Sequence, residues 1–535
     1  QGKLDEAIEA YKKALSIQPN NANAYYNMGI ALREQGKLDE AIEAYKKALS
    51  IKPDYAEAWN NIYYPMQAIK LQTKYRENLT ALNPEDINSK SNRIELSILD
   101  YKLHRGLKNE KVYLKKAMKN IARTDNLTIQ NPTFNKNFSE KIPPLPDKLA
   151  ALVHFGRSGT GLMHSLIDGH PEVSTLPSIY FSEYFDHSTW TRIISDGWDG
   201  MISNFIAIYE VLFDATSSVA IPSKSKKLIH SIGINDGMAN VGAQKNEVLR
   251  INKKIFVSEL ERLLAFYNSI DAFVFFKLVH AAYDKALNDC NPKDLIFYHI
   301  HNPDTYAQLN FARFNPNTKW VVMVREPIQS CESWIRIRFA ENDHFGVASQ
   351  ILTMLSEIDN PVYNRKVSVG VRLEDVKEYP HKTIPALCKW MGIVESDSLY
   401  EMTAQGKKWW GDPTSIDYSK DGMEPFGKTS INRKIGSIFS ENDQFVLRTL
   451  FYPFSVRFKY TEENEKQFKA DLKKIRPMID ELFDFEKKIA QEMQISFEKL
   501  KGSGSYLYLR SGLTERWNTL NKFHTYPNMI ELLKI

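Results

Sequence analysis

LAALVHFGRSGTGLMHSLIDGHPEV, residues 149–173, opens as an apolar run from Leu149 to Phe155. Its length and composition are those of a parallel strand buried on both faces. The turn Gly156-Arg157-Ser158-Gly159-Thr160-Gly161 follows. Leu162, Met163, Leu166 and Ile167 then recur at helical spacing, and Gly169-His170-Pro171 stops the helix. A strand, a glycine-rich turn and a helix in this order aim backbone N–H groups and the helix dipole at an anion. The glycines let the backbone come close to that anion. Ser158 and Thr160 add hydroxyls, and Arg157 adds a charge at the mouth.

The spacing of Gly156 and Gly161 is that of the nucleotide triphosphate loop G-x-x-x-x-G-K-[ST]. Leu162 and Met163 stand where that loop has Lys and Ser/Thr. Without them there is no point charge for the outer phosphates and no hydroxyl for Mg²⁺, which argues against a metal-dependent triphosphatase. An ordinary tight strand-to-helix turn is the competing reading, and the remainder of the chain has to separate the two.

Downstream, Phe273 to Val279, Asp294 to Ile300, Trp320 to Val324 and Val367 to Val371 are apolar runs of strand length. Helical patterns lie between and after them at Ala282 to Asn288, Pro303 to Phe311, Ile328 to Phe339 and Thr383 to Trp390. Alternating strands and helices predict an α/β fold on a parallel sheet. Arg325 falls at the carboxyl end of WVVMV, where such sheets bind ligands. Pro327 favours a first helical turn, which puts Ser333 on a helix within reach of an anion held by Arg325. The alternative is an Arg325 paired with Glu326 or Glu332. The dense aromatics from Tyr180 to Trp198 suit either a packed core or a substrate wall.

In order and context, GRSGTG…HP, VVMVREP…S and VGVRLEDVKEYP…LCKWMGI resemble the sulfotransferases that use 3′-phosphoadenosine 5′-phosphosulfate. The resemblance spans roughly residues 149–460 and implies a P-loop-like parallel sheet flanked by helices. It assigns the 5′-phosphosulfate to Arg157, Ser158, Gly159, Thr160 and Gly161, and the 3′-phosphate to Arg325 and Ser333. Asn432-Arg433-Lys434-Ile435-Gly436 is similar to the late basic loop that covers the nucleotide, which adds Arg433 and Lys434, although the spacing after it departs from the family. Leu373 stands where some members place a Tyr against adenine.

The implied reaction is in-line transfer of a sulfuryl group to a hydroxyl, with 3′,5′-adenosine bisphosphate as the product and no metal. It needs position, charge neutralisation and a base. Arg157 is the counter-charge for the leaving phosphate. His301 is the first candidate for the base. It follows the run DLIFYHI and lies 24 residues before Arg325 (325 − 301). His299 occupies a position where cytosolic members carry Lys. Glu183 is a second candidate, because tyrosylprotein sulfotransferases use a Glu in that region. His280, read as a strand end, His299 and His187 stay open.

At the N-terminus, QGKLDEAIEAYKKALSI occurs at residues 1–17 and again at 35–51, a period of 34. Tyr25, Met28, Gly29, Ala41, Tyr45, Ala48 and Pro53 resemble the tetratricopeptide pattern, with small residues where two helices touch. A third unit begins at Ala56 and fails at Tyr63 and Pro65, as a capping helix does. The chain starts mid-repeat without Met, so further repeats are expected upstream.

The expected organisation is repeats over 1–65, a helical connector over 66–130, a linker over 131–148, the transferase domain over 149–460 and a helical extension over 461–535. Within the extension Phe468, Leu472, Ile475, Ile479, Leu482 and Phe483 form an apolar stripe. That stripe packs on the main domain or pairs with another copy of the chain. Lys501-Gly-Ser-Gly-Ser reads as a flexible break, and the last thirty or so residues as a segment docked on a surface.

A net charge of +5 suits one polyanionic small ligand and does not call for nucleic acid. No apolar run reaches the length of a membrane span. Three scattered cysteines fit a reducing, cytoplasmic compartment, and together with the near-perfect repeats a bacterial source. The repeats are expected to bind a protein or peptide, either substrate or recruiter. The acceptor is a hydroxyl of a glycan, a tyrosine or a small molecule. Two other readings are a repeat scaffold with an inactive nucleotide-binding-like domain, and a repeat-linked peptide glycosyltransferase, for which the two anion motifs are not required.

Overall fold

The apolar run that begins at Leu149 lies at the centre of a six-stranded sheet. In the computed structural model the strands are β1 (Lys148–His154), β2 (Val173–Thr175), β3 (Leu295–His299), β4 (Lys319–Val324), β5 (Ser368–Arg372) and β6 (Glu531–Leu532). The structure describes residues 2–35, 37–52, 58, 94, 97–98, 101, 110–125, 127–134, 143–177, 181, 184–186, 189–217, 237–289, 291–300, 305–358, 360, 362, 366–413, 415, 418–428, 431, 435–522 and 529–535. These fall into two units. One is formed from Gln1–Asn120, Glu326–Asp359 and Lys434–Met529, the other from Ile121–Arg325, Asn360–Arg433 and Ile530–Ile535.

The sheet belongs to the second unit. Its order is β6-β5-β4-β1-β3-β2, and every pairing is parallel. Residues 149–153 of β1 are at most 3% exposed, which requires cover on both faces and explains an uninterrupted apolar run. From β1 the chain goes to the edge strand β2 and returns to β3 between the two, then crosses to the other side of β1 for β4 and β5. That reversal puts a switch point at the carboxyl ends of β1 and β4, where open α/β sheets take ligands. The edge strand β6 joins β5 by two residue pairs, and the Leu533 N–H donates to the Gly370 carbonyl at 2.8 Å.

The N-terminal repeats are α1 (Gly2–Ile17), α2 (Ala22–Glu34) and α3 (Leu38–Ile51). Their small-and-large pattern is a packing requirement. A Cβ on Gly29 would lie 2.5 Å from the Tyr45 ring, and Ala41, Tyr45 and Ala48 are fully buried. The capping helix read from Ala56 to Pro65 falls almost wholly outside the described residues, as does most of the connector. Of the connector, the helix Glu110–Asp125 is described.

In the second unit α4 (Thr160–Ile167) follows the glycine-rich turn, α5 (Ala272–Ala286) precedes β3, and α6 (Thr305–Phe314) joins β3 to β4. The strand expected over 273–279 is therefore wrong, since these residues are the first half of α5. Asp271 starts the helix by accepting from the N–H groups of Phe273 and Val274 at 2.9 and 2.8 Å. Phe275, Phe276, Leu278, Val279, Ala282 and Tyr283 are all buried, so the helix is apolar nearly all round and imitates a strand in sequence. Phe181, Tyr184, Phe185 and Tyr298 pack on Phe276, and Phe205 and Tyr209 pack on Phe181, each at most 3% exposed. Of the described aromatics of the stretch 180–198, Phe181, Tyr184, Phe185 and Trp190 thus fill the interior, and Trp198 is half-buried.

In the first unit α7 (Pro327–Ala340) and α8 (His344–Glu357) pair, and the C-terminal helices include Glu465–Ile479, α9 (Asp484–Glu492) and α10 (Gly504–Lys522). Phe468, Leu472, Ile475 and Ile479 are buried against Glu441–Leu450 and α10 of the same chain. The flexible break expected at 501–505 is instead a helix start, where the Ser503 hydroxyl accepts from the Tyr506 N–H at 3.2 Å. Arg33 of α2 sits 4.0 Å over the Phe345 ring of α8.

Among the described residues no helix is long and apolar enough to cross a membrane.

Candidate anion site at the carboxyl ends of two strands

The turn after β1 is shaped by two residues in the left-handed region, Gly156 at φ +59° and Gly159 at φ +86°. At Gly159 a side chain is excluded twice, because its Cβ would also stand 2.6 Å from Leu373 Cδ1. Leu373, at the position where a Tyr is expected against adenine, packs directly on the loop. Gly159 is the N-cap of α4 and gives it no side-chain cap bond. The first N–H groups of that helix are thus left to the backbone, to water or to a ligand.

Ser158 is 1% exposed. Its hydroxyl donates to the Met323 carbonyl at 2.8 Å and accepts from the Phe155 N–H at 3.3 Å. The side chain expected to offer a hydroxyl to the ligand thus commits its proton to β4, and what the loop presents there is backbone. The Phe155 N–H also donates to Met323, at 3.0 Å. Thr160 is buried at the first position of α4. The ring of Trp409 lies against Gly161, 3.8 Å from where a Cβ would stand.

Arg325 ends β4, is 3% exposed, and follows a strand paired residue for residue with β1, His154 opposite Met323. The loop and Arg325 are thus neighbours at one edge of the sheet, as the switch point requires. Arg157, more exposed, faces Asp412 with Nη2 3.6 Å from Oδ2. The segment that carries Asp412 is tied to the end of α4 by Asp168. That carboxylate accepts from Thr175 Oγ1 at 2.8 Å, Thr403 Oγ1 at 2.9 Å and the Gly406 N–H at 2.9 Å. Sequence reasoning missed Asp168, Trp409 and Asp412, and no local spacing marks any of them.

Ser333 lies on α7 in the first unit, whereas Arg325 belongs to the second. Beside Ser333, Glu332 is 6% exposed and accepts from residues 436–439. Glu326 caps α7 by accepting from the Gln329 N–H at 2.7 Å.

His280, read from sequence as a strand end, sits in the middle of α5 and is 1% exposed. Its Nδ1 is 3.0 Å from Ser174 Oγ, and burial, with His164 nearby, brings its pKa down to about 3. Ser174 also bonds Asp284, whose carboxyl is pushed up to about 7 chiefly by burial. His299 is 2% exposed on β3, its ring 5.9 Å from that of His164. Such enclosed imidazoles belong to the core beneath the sheet's edge. His301, Glu183, His187, Arg433 and Lys434 lie outside the described residues.

Two family models for tetratricopeptide repeats match the chain, over residues 1–32 and 22–55. No curated protein matches it. Among solved structures, the sulfotransferase domain from the Synechococcus PCC 7002 olefin synthase aligns over 58% of this chain and 98% of its own, at 13% identity and a TM-score of 0.33. The sulfotransferase domain from the curacin biosynthetic pathway aligns over 66% and 99%, at 12% identity and a TM-score of 0.25. The sulfotransferase STF9 from Mycobacterium avium aligns over 62% and 84%, at 9% identity and a TM-score of 0.26.

Proposed function

We propose that this chain transfers a sulfuryl group from 3′-phosphoadenosine 5′-phosphosulfate to an acceptor hydroxyl, and that its N-terminal repeats bind a protein or peptide. One observation supports the reading above the others. The glycine-rich loop and the buried Arg325 stand at the carboxyl ends of paired strands, two anion-binding elements on one sheet edge. A nucleotide with a sulfated 5′-phosphate and a separate 3′-phosphate needs two such elements. The loop takes the 5′ end through its backbone N–H groups and the start of α4. Arg325 takes the 3′-phosphate through its guanidinium. Ser333, Arg433 and Lys434 are assigned to the same nucleotide on their sequence motifs.

In the reaction the acceptor oxygen attacks sulfur in line with the bridging oxygen. The S–O bond to the phosphate breaks, and 3′,5′-adenosine bisphosphate leaves with the electron pair. Arg157, at the loop's mouth, neutralises charge growing on that oxygen. The acceptor's proton passes to a base, for which His301 is the first candidate and Glu183 the second. His280 and His299 are set aside, because each is enclosed by packed side chains. Sulfur in this donor is already activated, so the chemistry requires no metal.

One observation favours a catalytically inactive scaffold: Asp412 stands 3.6 Å from Arg157, where it opposes the charge the reaction needs. Calorimetric titration of the full chain with 3′,5′-adenosine bisphosphate tests the nucleotide reading. Roughly micromolar binding, weakened at least about tenfold in Arg325→Ala, is expected. A wild type that does not bind overturns the proposal. Binding without sulfation of any hydroxyl in a screen of glycans, tyrosyl peptides and alcohols selects the scaffold.

A further inference from the structure

Arg157 supplies the loop's charge in the nucleotide reading, and Asp412 already faces it, Nη2 to Oδ2 at 3.6 Å. The two side chains are 39% and 31% exposed. A pair so open to water is weak, and a phosphate arriving at the loop can draw the guanidinium away from the carboxylate. How strongly Asp412 resists depends on whether it is free to swing aside.

The backbone on both sides of Asp412 is pinned. Trp409 is 7% exposed, and its N–H donates to the Met402 carbonyl at 2.8 Å. Trp410 donates through Nε1 to the Gly242 carbonyl at 2.8 Å, and its own carbonyl accepts from the Met423 N–H at 2.9 Å. Gly411 is at φ +94°, and a Cβ there would stand 2.8 Å from Met423, so the turn into Asp412 has one shape. On the far side the Asp412 carbonyl accepts from the Ser415 N–H at 3.0 Å. The segment as a whole hangs from the end of α4 through Thr403, Gly406 and the buried carboxylate of Asp168. Asp412 is therefore a standing charge, still within reach of Arg157 when an anion enters the loop.

We propose that Asp412 competes with the nucleotide's 5′-phosphate for Arg157, and so limits how long the bisphosphate product is held. The inference rests on the nucleotide reading above, and it gives this carboxylate a use in turnover. When the S–O bond breaks, the phosphate keeps the electron pair, and Arg157 then holds the product at its tightest. A standing competitor shortens that stay, and in many enzymes release sets the rate of turnover. Asp412 acts through Arg157 and is a positioning residue.

The test measures affinity and dissociation rate of 3′,5′-adenosine bisphosphate on the full chain. The variants are Asp412→Asn, Arg157→Ala, Arg325→Ala, and each Ala change combined with Asp412→Asn. Asp412→Asn is expected to bind about threefold tighter at about 0.05 M salt, through slower dissociation. At about 0.5 M salt the gain is expected to shrink below about twofold. It is expected nearly to vanish in the Arg157→Ala background, where the contested group is gone, and to stay at about threefold in Arg325→Ala. Damage to the fold lowers affinity and does not produce such a gain.

Unchanged or weaker binding by Asp412→Asn overturns the inference and leaves the nucleotide reading standing. Weaker binding would make Asp412 a group that aims Arg157 at the phosphate. A gain that survives in full in Arg157→Ala also overturns it, because Asp412 would then act on the nucleotide directly. If Asp412→Asn does not fold, Asp412→Ser is run through the same cycle with the same expectations. Absence of binding by wild type overturns the nucleotide reading and this inference with it.

Discussion

Each of the two units buries a histidine beside a carboxylate, and the two pairs are held by opposite physics. In the first unit His344 is bonded at both ring nitrogens, Nδ1 to Ser505 Oγ at 2.7 Å and Nε2 to Glu486 Oε1 at 2.8 Å. Arg510 bonds the other oxygen of Glu486. Burial would raise the Glu486 pKa, but the His344 bond and the Arg510 charge outweigh it and hold the carboxyl below its usual value. In the second unit His280 and Asp284 have Ser174 between them and no opposite charge of that strength. There burial prevails, with His280 brought down to about 3 and Asp284 raised to about 7. Similar burial therefore leaves the carboxylate ionised in one unit and favours its protonated form in the other. The hydrogen bond from His344, joined by the Arg510 charge, makes the difference.

The comparison breaks most sharply at Glu486. Glu486→Ala leaves the Arg510 guanidinium buried without its partner and is expected to cost up to about 5 kcal/mol in denaturant unfolding at pH 7. A cost below about 1 kcal/mol would show that water replaces the carboxylate there.

Asp284→Asn probes the other side. With its pKa raised in the folded state, the wild-type carboxyl binds more protons folded than unfolded between about pH 4 and 7, so stability falls as pH rises across that window. The shift of roughly three units amounts to about 4 kcal/mol. The Asn variant is expected to narrow the difference in unfolding free energy between pH 4 and pH 8 by that amount.

His280→Gln has the opposite sign and a smaller reach. The wild-type imidazole stays neutral when folded and takes up a proton when unfolded below about pH 6.5, so it loses stability as pH falls from there toward 3. At pH 5 the loss is about 2 kcal/mol relative to pH 7, and the variant is expected to lack it. Between about pH 4 and 6.5 the two slopes cancel. Relative to the wild type, a slope changed in opposite directions by the two variants over that range is the signature of the pair.

Smallest is Arg33→Ala, which removes a cation from the Phe345 face and is expected to cost about 1 kcal/mol in thermal unfolding.

How much of this was readable in the chain follows from the range of each interaction. The glycine-rich turn was legible because its constraints are local: two left-handed glycines, an apolar strand before them and a helical period after. The tetratricopeptide repeat was legible for the same reason, since Gly29 and Tyr45 meet within one period. Arg325 could be placed at a strand's end because β4 is apolar throughout. The central helix α5 was misread because burial on every side erases the 3.6-residue period. The strands β2 and β6 are three and two residues long, too short to carry alternation. Asp168 and Glu332 were invisible for a different reason. Apart from Thr175, the partners of Asp168 lie 235 and 238 residues away and those of Glu332 104 to 107, and a lone carboxylate carries no pattern that points so far along the chain.

The order of strands in the sheet has a consequence for the ribosome. β1 is the central strand and emerges first, yet its two neighbours begin at Leu295 and Lys319. At the usual pace of synthesis, about 5–20 residues per second, a strand apolar from Leu149 to Val153 waits on the order of ten seconds for either partner. During that interval its hydrogen-bonding edges are open to any other strand, including the same segment on a neighbouring nascent chain. Expression at high ribosome density is therefore where aggregation of this protein should begin, and the seed should be residues 148–155.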